Sequence, residues 1–125
     1  MLINISNHPS EKWNVLQQCA ANEQFGKVMD IPFPAISPLW NQRQVNQAVE
    51  EMFEFVLQKC EELKIDLHKL TIHLMGEMTF CFALVQQFRN KNIPCVASTT
   101  ERKVLEEADG KKTVQFNFVR FRNYF

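Results

Sequence analysis

Residues 72–80 read IHLMGEMTF, with one of the chain's three glycines in the middle, at position 76. The residues before Gly76 form an apolar run of the kind found in buried strands, and those from Glu77 onward have the pattern of a helix start. Glycine at such a junction lets the backbone turn sharply from a strand into a helix. This stretch therefore predicts strand, turn and helix in succession, the repeating unit of an α/β fold.

The alternation of strand and helix continues on both sides of this stretch. Apolar, β-branched runs predict strands, and apolar residues three or four positions apart predict helices. The predicted strands are residues 2–6, 26–31, 69–75 and 93–99, and the predicted helices are residues 10–22, 42–63 and 77–91. Because right-handed crossovers place helices on both faces of a mostly parallel sheet, we expect one small Rossmann-like domain over residues 1–125.

The second predicted helix has the clearest pattern in the chain, with apolar residues on one side and glutamates on the other. Its apolar set is Val45, Val49, Met52, Phe53, Val56, Cys60 and Leu63. The first helix is expected to begin at Ser10, whose hydroxyl can act as an N-cap. Its predicted inner face consists of Trp13, Leu16 and Ala20.

The C-terminal part of the chain predicts a β-hairpin at the sheet edge. Asp109-Gly110 is a strong signal for a two-residue turn. Such a turn pairs Glu107 with Lys112, which are suitable cross-strand partners. The alternation of inward-facing residues changes phase near Phe118, and this predicts a β-bulge or a second buried face there.

The composition excludes several classes of protein. Fourteen basic and fourteen acidic residues balance, so no global field marks a protein that coats long nucleic acid. The N-terminal residues MLINIS lack the features of a signal peptide, and no apolar run has the length of a membrane span. The four cysteines have no CxxC spacing and lie in apolar patterns, which is typical of buried free thiols in a cytoplasmic protein.

Three polar segments are expected at one edge of the sheet, because they follow the carboxyl ends of parallel strands, where α/β proteins bind ligands. The candidate residues are Asn7, His8 and Ser10 after the first strand, Gly76, Glu77, Met78 and Thr79 after the third, and Ser98, Thr99, Thr100 and Arg102 after the fourth. The free amides at positions 77–79 can hold an anion at the helix start, and Arg102 suits phosphate.

Each of these residues also has a purely structural interpretation. Glu77 can favour the helix N-terminus through the dipole, and its charge would oppose phosphate there. His73, inside an apolar strand, is interpreted as a core residue, and Arg102 can pair with a surface glutamate. The sequence contains no GxGxxG, P-loop, GxSxG or HExxH motif, so it predicts no metal or cofactor.

Four segments together resemble the small stand-alone proteins that accompany type III CRISPR systems. They are ISNHPSEKW (5–13), DIPFPAISP (30–38), HLMGEMTF (73–80) and PCVASTTER (94–102). Proteins of that type have a CARF-like Rossmann domain, form two-fold dimers and bind cyclic oligoadenylates. Several of them are ring nucleases that cut the messenger without a metal ion.

The resemblance implies that this chain binds cyclic tetra-adenylate and cleaves it by attack of a ribose 2′-hydroxyl on the adjacent phosphate. It implies that Arg102 stabilises the phosphate and that His8 transfers protons, as imidazoles do near neutral pH. The chain departs from the expected pattern because its three turns contain almost no lysine. Two alternatives stay open, a non-catalytic sensor or sponge for the same ligand and a Rossmann-like subunit that binds protein.

The third predicted helix suggests self-association. Its apolar residues occupy more than one stripe, which exceeds what the sheet alone can cover. They are Phe80, Phe82, Leu84, Val85 and Phe88. We therefore expect a homodimer that includes this helix or the turn before it.

Overall fold

The computed structural model describes residues 1–125 and contains one five-stranded sheet with three α-helices. The strands are β1 (Leu2–Ser6), β2 (Val28–Pro32), β3 (Thr71–Met75), β4 (Cys95–Glu106) and β5 (Lys112–Asn123), and the helices are α1 (Val15–Phe25), α2 (Gln42–Glu62) and α3 (Met78–Asn90). The predicted α/β class with a C-terminal antiparallel hairpin is confirmed. None of the helices has the length and apolar character needed to cross a membrane.

The strand order is β2-β1-β3-β4-β5, with β1 to β4 parallel and β5 antiparallel to β4. This is the order of the flavodoxin-like doubly wound folds, apart from the reversed last strand. β2 lies on one side of β1. The chain then returns through α2, and β3 lies on the other side of β1. The loops after β1 and β3 therefore lead away in opposite directions, and a crevice opens between them.

One face of the sheet is sealed by α2 and α3. A cluster of 17 buried residues lies there, including Ile3, Ile5, Leu74 and Phe88. The prediction of one long helix across this face is confirmed. Its apolar side is largely buried, although Leu63, which follows the last helical residue, is 55% exposed.

A capping box at Asn41 fixes the start of α2. The Asn41 side chain accepts a hydrogen bond from the backbone of Gln44, and the Gln44 side chain accepts one from the backbone of Asn41. Two amides that the first turn would otherwise leave unpaired are satisfied in this way.

The other face is covered by α1 alone, over a small cluster of Leu2, Trp13, Ala21 and Val96. The predicted start of this helix at Ser10 is wrong. Asn14 is the N-cap, and its side chain accepts a hydrogen bond from the amide of Gln17.

The earlier part of that segment forms a 3₁₀ turn over Ser10–Lys12. The hydroxyl of Ser10 donates to Asp30 on β2, 2.7 Å away, so this residue ties a loop to the sheet instead of capping a helix. The delayed start also changes the phase of the helix, and Leu16 is 65% exposed.

The hairpin turn has three residues, so the predicted two-residue turn is wrong. Glu107 donates its amide hydrogen to the carbonyl of Lys111 and accepts from the amide of Gly110. Gly110 has φ +83°, the left-handed conformation that closes a type I turn in a three-residue hairpin. The additional turn residue moves the register by one position, and Lys112 pairs with Glu106.

The register of the hairpin shifts between Thr99 and Thr100, leaving Val119 as an extra residue on β5. The β-bulge predicted near Phe118 is therefore confirmed. It keeps Phe118 and Phe121 on the same face, with their ring centroids 5.0 Å apart.

β4 is much longer than predicted. It pairs with β3 only through Cys95 and Val96, and from Ala97 onward it pairs with β5 alone. Residues 97–106 and 112–122 thus form a two-stranded ribbon that extends past the carboxyl edge of the sheet. The segment Ser98–Arg102, predicted as a turn, lies within this ribbon as extended strand.

Candidate functional site

A cleft of about 660 Å³ opens at the carboxyl ends of β1 and β3. We call it the carboxyl-edge cleft. It is lined by Ser6, Asn7, His8, Lys12, Trp13, Asn14, Gln17, His73, Met75, Gly76, Ser98, Thr100, Phe116 and Phe118. All three predicted polar segments contribute to it, and the cleft lies at the switch point of the sheet, where ligands bind in folds of this kind.

A buried polar network supports the floor of the cleft. The side-chain amide of Asn4 donates to the carbonyl of His8 at 2.9 Å and to Oδ1 of Asp30 at 2.7 Å. The hydroxyl of Ser6 lies 2.9 Å from Oδ1 of Asn4 and accepts a hydrogen bond from the amide of His8. These contacts hold the backbone of the loop after β1 in a fixed path.

His73 belongs to the same network. Its Nδ1 lies 2.8 Å from Oδ1 of Asn4, and its ring packs edge-on against Trp13 and Phe121. Burial lowers the pKa of His73 to about 4, so the imidazole is neutral at pH 7. The sequence predicted His73 as a core residue, and it is buried, but its ring also forms part of the cleft wall.

The predicted site residues divide into those that line the cleft and those that do not. Asn7, His8, Gly76, Ser98 and Thr100 line it. The side chain of Ser10 is bound to Asp30, and Thr99 donates to the carbonyl of Arg120 on the neighbouring strand.

Glu77 caps α3 with its own carboxylate. The carboxylate accepts hydrogen bonds from the amides of Thr79 and Phe80 at 3.1 and 2.8 Å and from the hydroxyl of Thr79 at 2.7 Å. These bonds, led by the one from the Thr79 hydroxyl, lower the pKa of Glu77. The amide of Thr79 is occupied, so the prediction of free amides throughout residues 77–79 is wrong.

Met78 and Thr79 are not among the residues that line the cleft. They line a separate groove between α2 and α3, together with Asn46 and Phe82. The polar turn after β3 therefore contributes to the cleft mainly through Met75 and Gly76.

Gly76 has a specific steric role. Its φ is not positive, and a Cβ added there would overlap the ring of Phe33 from the proline-rich loop after β2. The Phe33 ring in turn packs against Phe80 with centroids 5.2 Å apart. Glycine at this position therefore admits an aromatic ring beside the strand–helix turn.

Arg102 lies on the ribbon, outside the cleft lining. It pairs with Phe116, whereas Thr100 pairs with Phe118, so Arg102 is one alternate position further from the sheet on the same face. The structure does not bring Arg102 and His8 together as lining residues of one cleft.

Several lining residues were not predicted. Lys12 and Trp13 follow the first polar segment directly, in the sequence SEKW, and enter the cleft because the helix starts only at Val15. Phe116 enters from β5 and is 65% exposed. The sequence signal that could have identified Lys12 and Trp13 as lining residues was a lysine and an aromatic residue directly after a polar turn.

The cleft offers hydroxyls, amides, one lysine, one exposed histidine and aromatic surface. No group of three or more histidine, cysteine or acidic side chains is placed to hold a metal ion. Three cysteines are buried as predicted, whereas Cys19 is exposed on α1. Burial raises the pKa of Cys81 to about 11 and that of Cys95 to about 12, so neither thiol is an activated nucleophile.

Residues 1–122 match the model of the family described as the uncharacterized protein MJ1673 family, and the chain belongs to that family. No curated protein and no solved structure matches the chain.

Proposed function

We propose that the protein binds a cyclic oligoadenylate, with cyclic tetra-adenylate as the preferred ring, in the carboxyl-edge cleft. The observation that carries the proposal is the convergence of three polar segments on one cleft at the switch point of the sheet. The resemblance of those segments to stand-alone CARF-like proteins of type III CRISPR systems supplies the class of ligand.

The lining of the cleft suits a nucleotide ligand. Lys12 provides a positive charge for a phosphate, and the hydroxyls of Ser98 and Thr100 and the amide of Asn7 can bond ribose or phosphate oxygens. Phe116 exposes an aromatic face on which an adenine can stack.

A ring of four nucleotides is larger than the drug-sized ligands that a cleft of about 660 Å³ encloses. We therefore propose a two-fold homodimer in which each copy presents its cleft to half of the ring. The ribbon is the element proposed to meet the second copy, because Val104, Val114 and Phe116 are 52, 41 and 65% exposed on it.

The proposed reaction is a metal-independent ring nuclease reaction that ends type III CRISPR signalling. The 2′-oxygen attacks the adjacent phosphorus, a P–O2′ bond forms and the P–O5′ bond breaks, which leaves a 2′,3′-cyclic phosphate and a 5′-hydroxyl. The 2′-hydroxyl loses a proton and the departing 5′-oxygen gains one. His8 is proposed to carry out proton transfer, Arg102 to stabilise the phosphate charge, and the cleft to align the reacting atoms.

A second candidate function is binding without cleavage, as a sensor or sponge for the same ring. The position of Arg102 favours it, since the side chain proposed to stabilise the phosphate is not among the residues that line the cleft.

Chromatography of cyclic tetra-adenylate after incubation with the protein distinguishes these functions. We expect linear products ending in a 2′,3′-cyclic phosphate, and we expect His8→Ala to slow their formation while most binding remains. Binding without products would establish the sensor or sponge. A thermal-shift screen in which no cyclic nucleotide stabilises the protein would refute both and favour the protein-binding subunit.

A further inference from the structure

The wall of the carboxyl-edge cleft contains a buried histidine with one ring nitrogen that is hydrogen-bonded and one that is not. His73 is 2% exposed, and its Nδ1 contacts Asn4. Its Nε2 is the one buried side-chain nitrogen or oxygen in the chain without a hydrogen-bond partner. Buried polar groups are nearly always paired, so an unpaired one in a cleft wall requires an explanation.

The network around Asn4 determines which nitrogen of His73 carries the proton. The side-chain amide of Asn4 faces the His8 carbonyl and the Asp30 carboxylate, which are both acceptors. The amide group must therefore point at these two oxygens, and Oδ1 of Asn4 must face His73. Because Oδ1 is an acceptor, Nδ1 of His73 donates to it, and the neutral ring has its lone pair on Nε2.

The lone pair on Nε2 of His73 determines which kind of ligand group can bind there. A phosphodiester oxygen has no proton at neutral pH and would repel it, whereas an uncharged O–H or N–H group can donate to it. Trp13 and Phe121 pack edge-on against the ring, at centroid distances of 5.2 and 5.6 Å, and exclude charged protein groups from these sides. The site is therefore suited to a neutral donor.

We propose that Nε2 of His73 accepts a hydrogen bond from an uncharged donor of the bound nucleotide, either a ribose 2′-hydroxyl or the exocyclic amino group of adenine. The inference rests on the proposed function, because it assigns a recognition residue within the same cleft. A site built to accept such a bond rejects an analogue without the donor, since the buried acceptor then stays unpaired.

Two substitutions separate the roles of the two ring nitrogens. In His73→Asn, the side-chain amide can take the place of Nδ1 and keep the donation to Asn4, while the acceptor at the Nε2 position is lost. In His73→Gln, the longer side chain can place its carbonyl oxygen near the Nε2 position and keep an acceptor there. Circular dichroism and thermal melting establish that both variants are folded.

The test is calorimetric titration with three rings: cyclic tetra-adenylate, its 2′-deoxy analogue and its inosine analogue, which lacks the amino group. Chromatography after each titration measures how much of the ring has been cut, and the affinities are taken for the intact ring. We expect the parent protein to bind one analogue about tenfold more weakly than cyclic tetra-adenylate. His73→Asn should lose that preference and His73→Gln should retain most of it. The analogue that the parent rejects identifies the donor.

A preference that persists unchanged in His73→Asn would overturn the inference and leave the proposed function intact. If the parent binds none of the rings, the proposed function fails and the inference fails with it. Nitrogen-15 NMR of histidine-labelled parent protein gives a test without substitution. The Nε2 resonance should have the shift of an unprotonated nitrogen and move upfield when cyclic tetra-adenylate binds, and a resonance that stays in place on binding would overturn the inference.

Discussion

Asn4 is the residue on which the geometry of the cleft depends most. It is 1% exposed on β1, and its single side chain contacts the loop after β1, Asp30 on β2 and His73 on β3. An apolar residue would be the usual choice at a buried position of a parallel strand. The polar side chain here links three parts of the chain and determines which nitrogen of one of them, His73, carries the proton.

The pKa of His73 makes the stability of the fold depend on pH. Because burial lowers this pKa from 6.5 to about 4, the unfolded chain binds more protons than the folded chain between these values. Stability is therefore fully present above pH 6.5 and decreases as the pH falls toward 4, by about 3 kcal/mol over the range.

Urea unfolding at a series of pH values measures this change. His73→Gln provides the control, because it lacks the titrating group and retains all other ionisable residues. We expect a steeper loss of stability in the parent protein. Parallel curves for the two proteins would show that His73 is not held neutral by the fold.

Lys12 and Arg102 should differ in their effects on ligand binding. A charge-assisted hydrogen bond to phosphate contributes about 1.5–3 kcal/mol, so Lys12→Ala should weaken cyclic tetra-adenylate binding about ten- to a hundredfold. Arg102→Ala should weaken it less, since Arg102 lies beyond the cleft lining. Lys27→Ala, next to the opposite edge of the sheet, is the matched control. A larger effect of Arg102→Ala would place the ring against the ribbon instead.

At the scale of elements, the turn from β3 to α3 depends on a contact from a distant loop. The Phe33 ring occupies the space that a side chain at position 76 would need. Gly76→Ala should therefore force the ring to move and destabilise the protein by about 1–3 kcal/mol, as overpacking does elsewhere. Denaturant unfolding measures the loss.

A double-mutant cycle with Phe33→Ala distinguishes this steric cause from backbone strain. Once the ring is removed, Gly76→Ala should cost little, which gives a coupling energy of about 1 kcal/mol or more. Equal costs with and without the ring would show that the turn itself requires glycine.

The elements that follow from local pattern were predictable from the sequence. The long α2 and the parallel strands have strong periodicity, and their order predicted the sheet and the edge where polar loops meet. The start of α1 was not predictable, because Ser10 has the properties of an N-cap but bonds to Asp30, twenty residues away. Tertiary contacts override local preference at such positions.

The candidate site was predictable only in part, for related reasons. Topology placed Asn7, His8 and Gly76 at one edge. The length of β4 was not apparent, because its continuation past the sheet depends on pairing with β5, and this carried Arg102 out onto the ribbon. The role of His73 could not be predicted either. The sequence of a strand does not show that Asn4 on the neighbouring strand bonds to Nδ1 of the histidine and leaves its Nε2 without a partner.

At the scale of the whole molecule, the cleft exists because the two faces of the sheet are covered unequally. Two helices seal one face over a large core, whereas α1 alone covers part of the other. The uncovered part of this face includes Met75 and Ser98, which line the cleft, and it continues into the ribbon. A surface of this kind is open to a ligand and, beyond it, to another protein chain.

The sequence prediction of a homodimer interface that includes α3 or the turn before it rested on apolar residues of that helix, most of which pack inside the fold. Its residues Phe80, Leu84, Val85 and Phe88 are buried within the fold, which leaves Met78 and Phe82 exposed on the helix, at 83 and 69%. The ribbon exposes three apolar side chains in one stripe, Val104, Val114 and Phe116, and it borders the cleft.

A matched pair of substitutions decides between the two interfaces. Light scattering at micromolar concentration should give the parent protein a mass about twice the 14.7 kDa of one chain. Phe116→Glu should reduce it to that of a single chain, because a buried unpaired carboxylate is costly at an apolar interface. Phe82→Glu introduces the same charge at a similarly exposed phenylalanine on α3 and should leave the dimer intact.

If Phe82→Glu is instead the variant that dissociates, the interface lies on α3 as the sequence predicted. A parent protein that has the mass of one chain would contradict the two-copy binding of the ring, because each cleft would then have to bind the ligand alone.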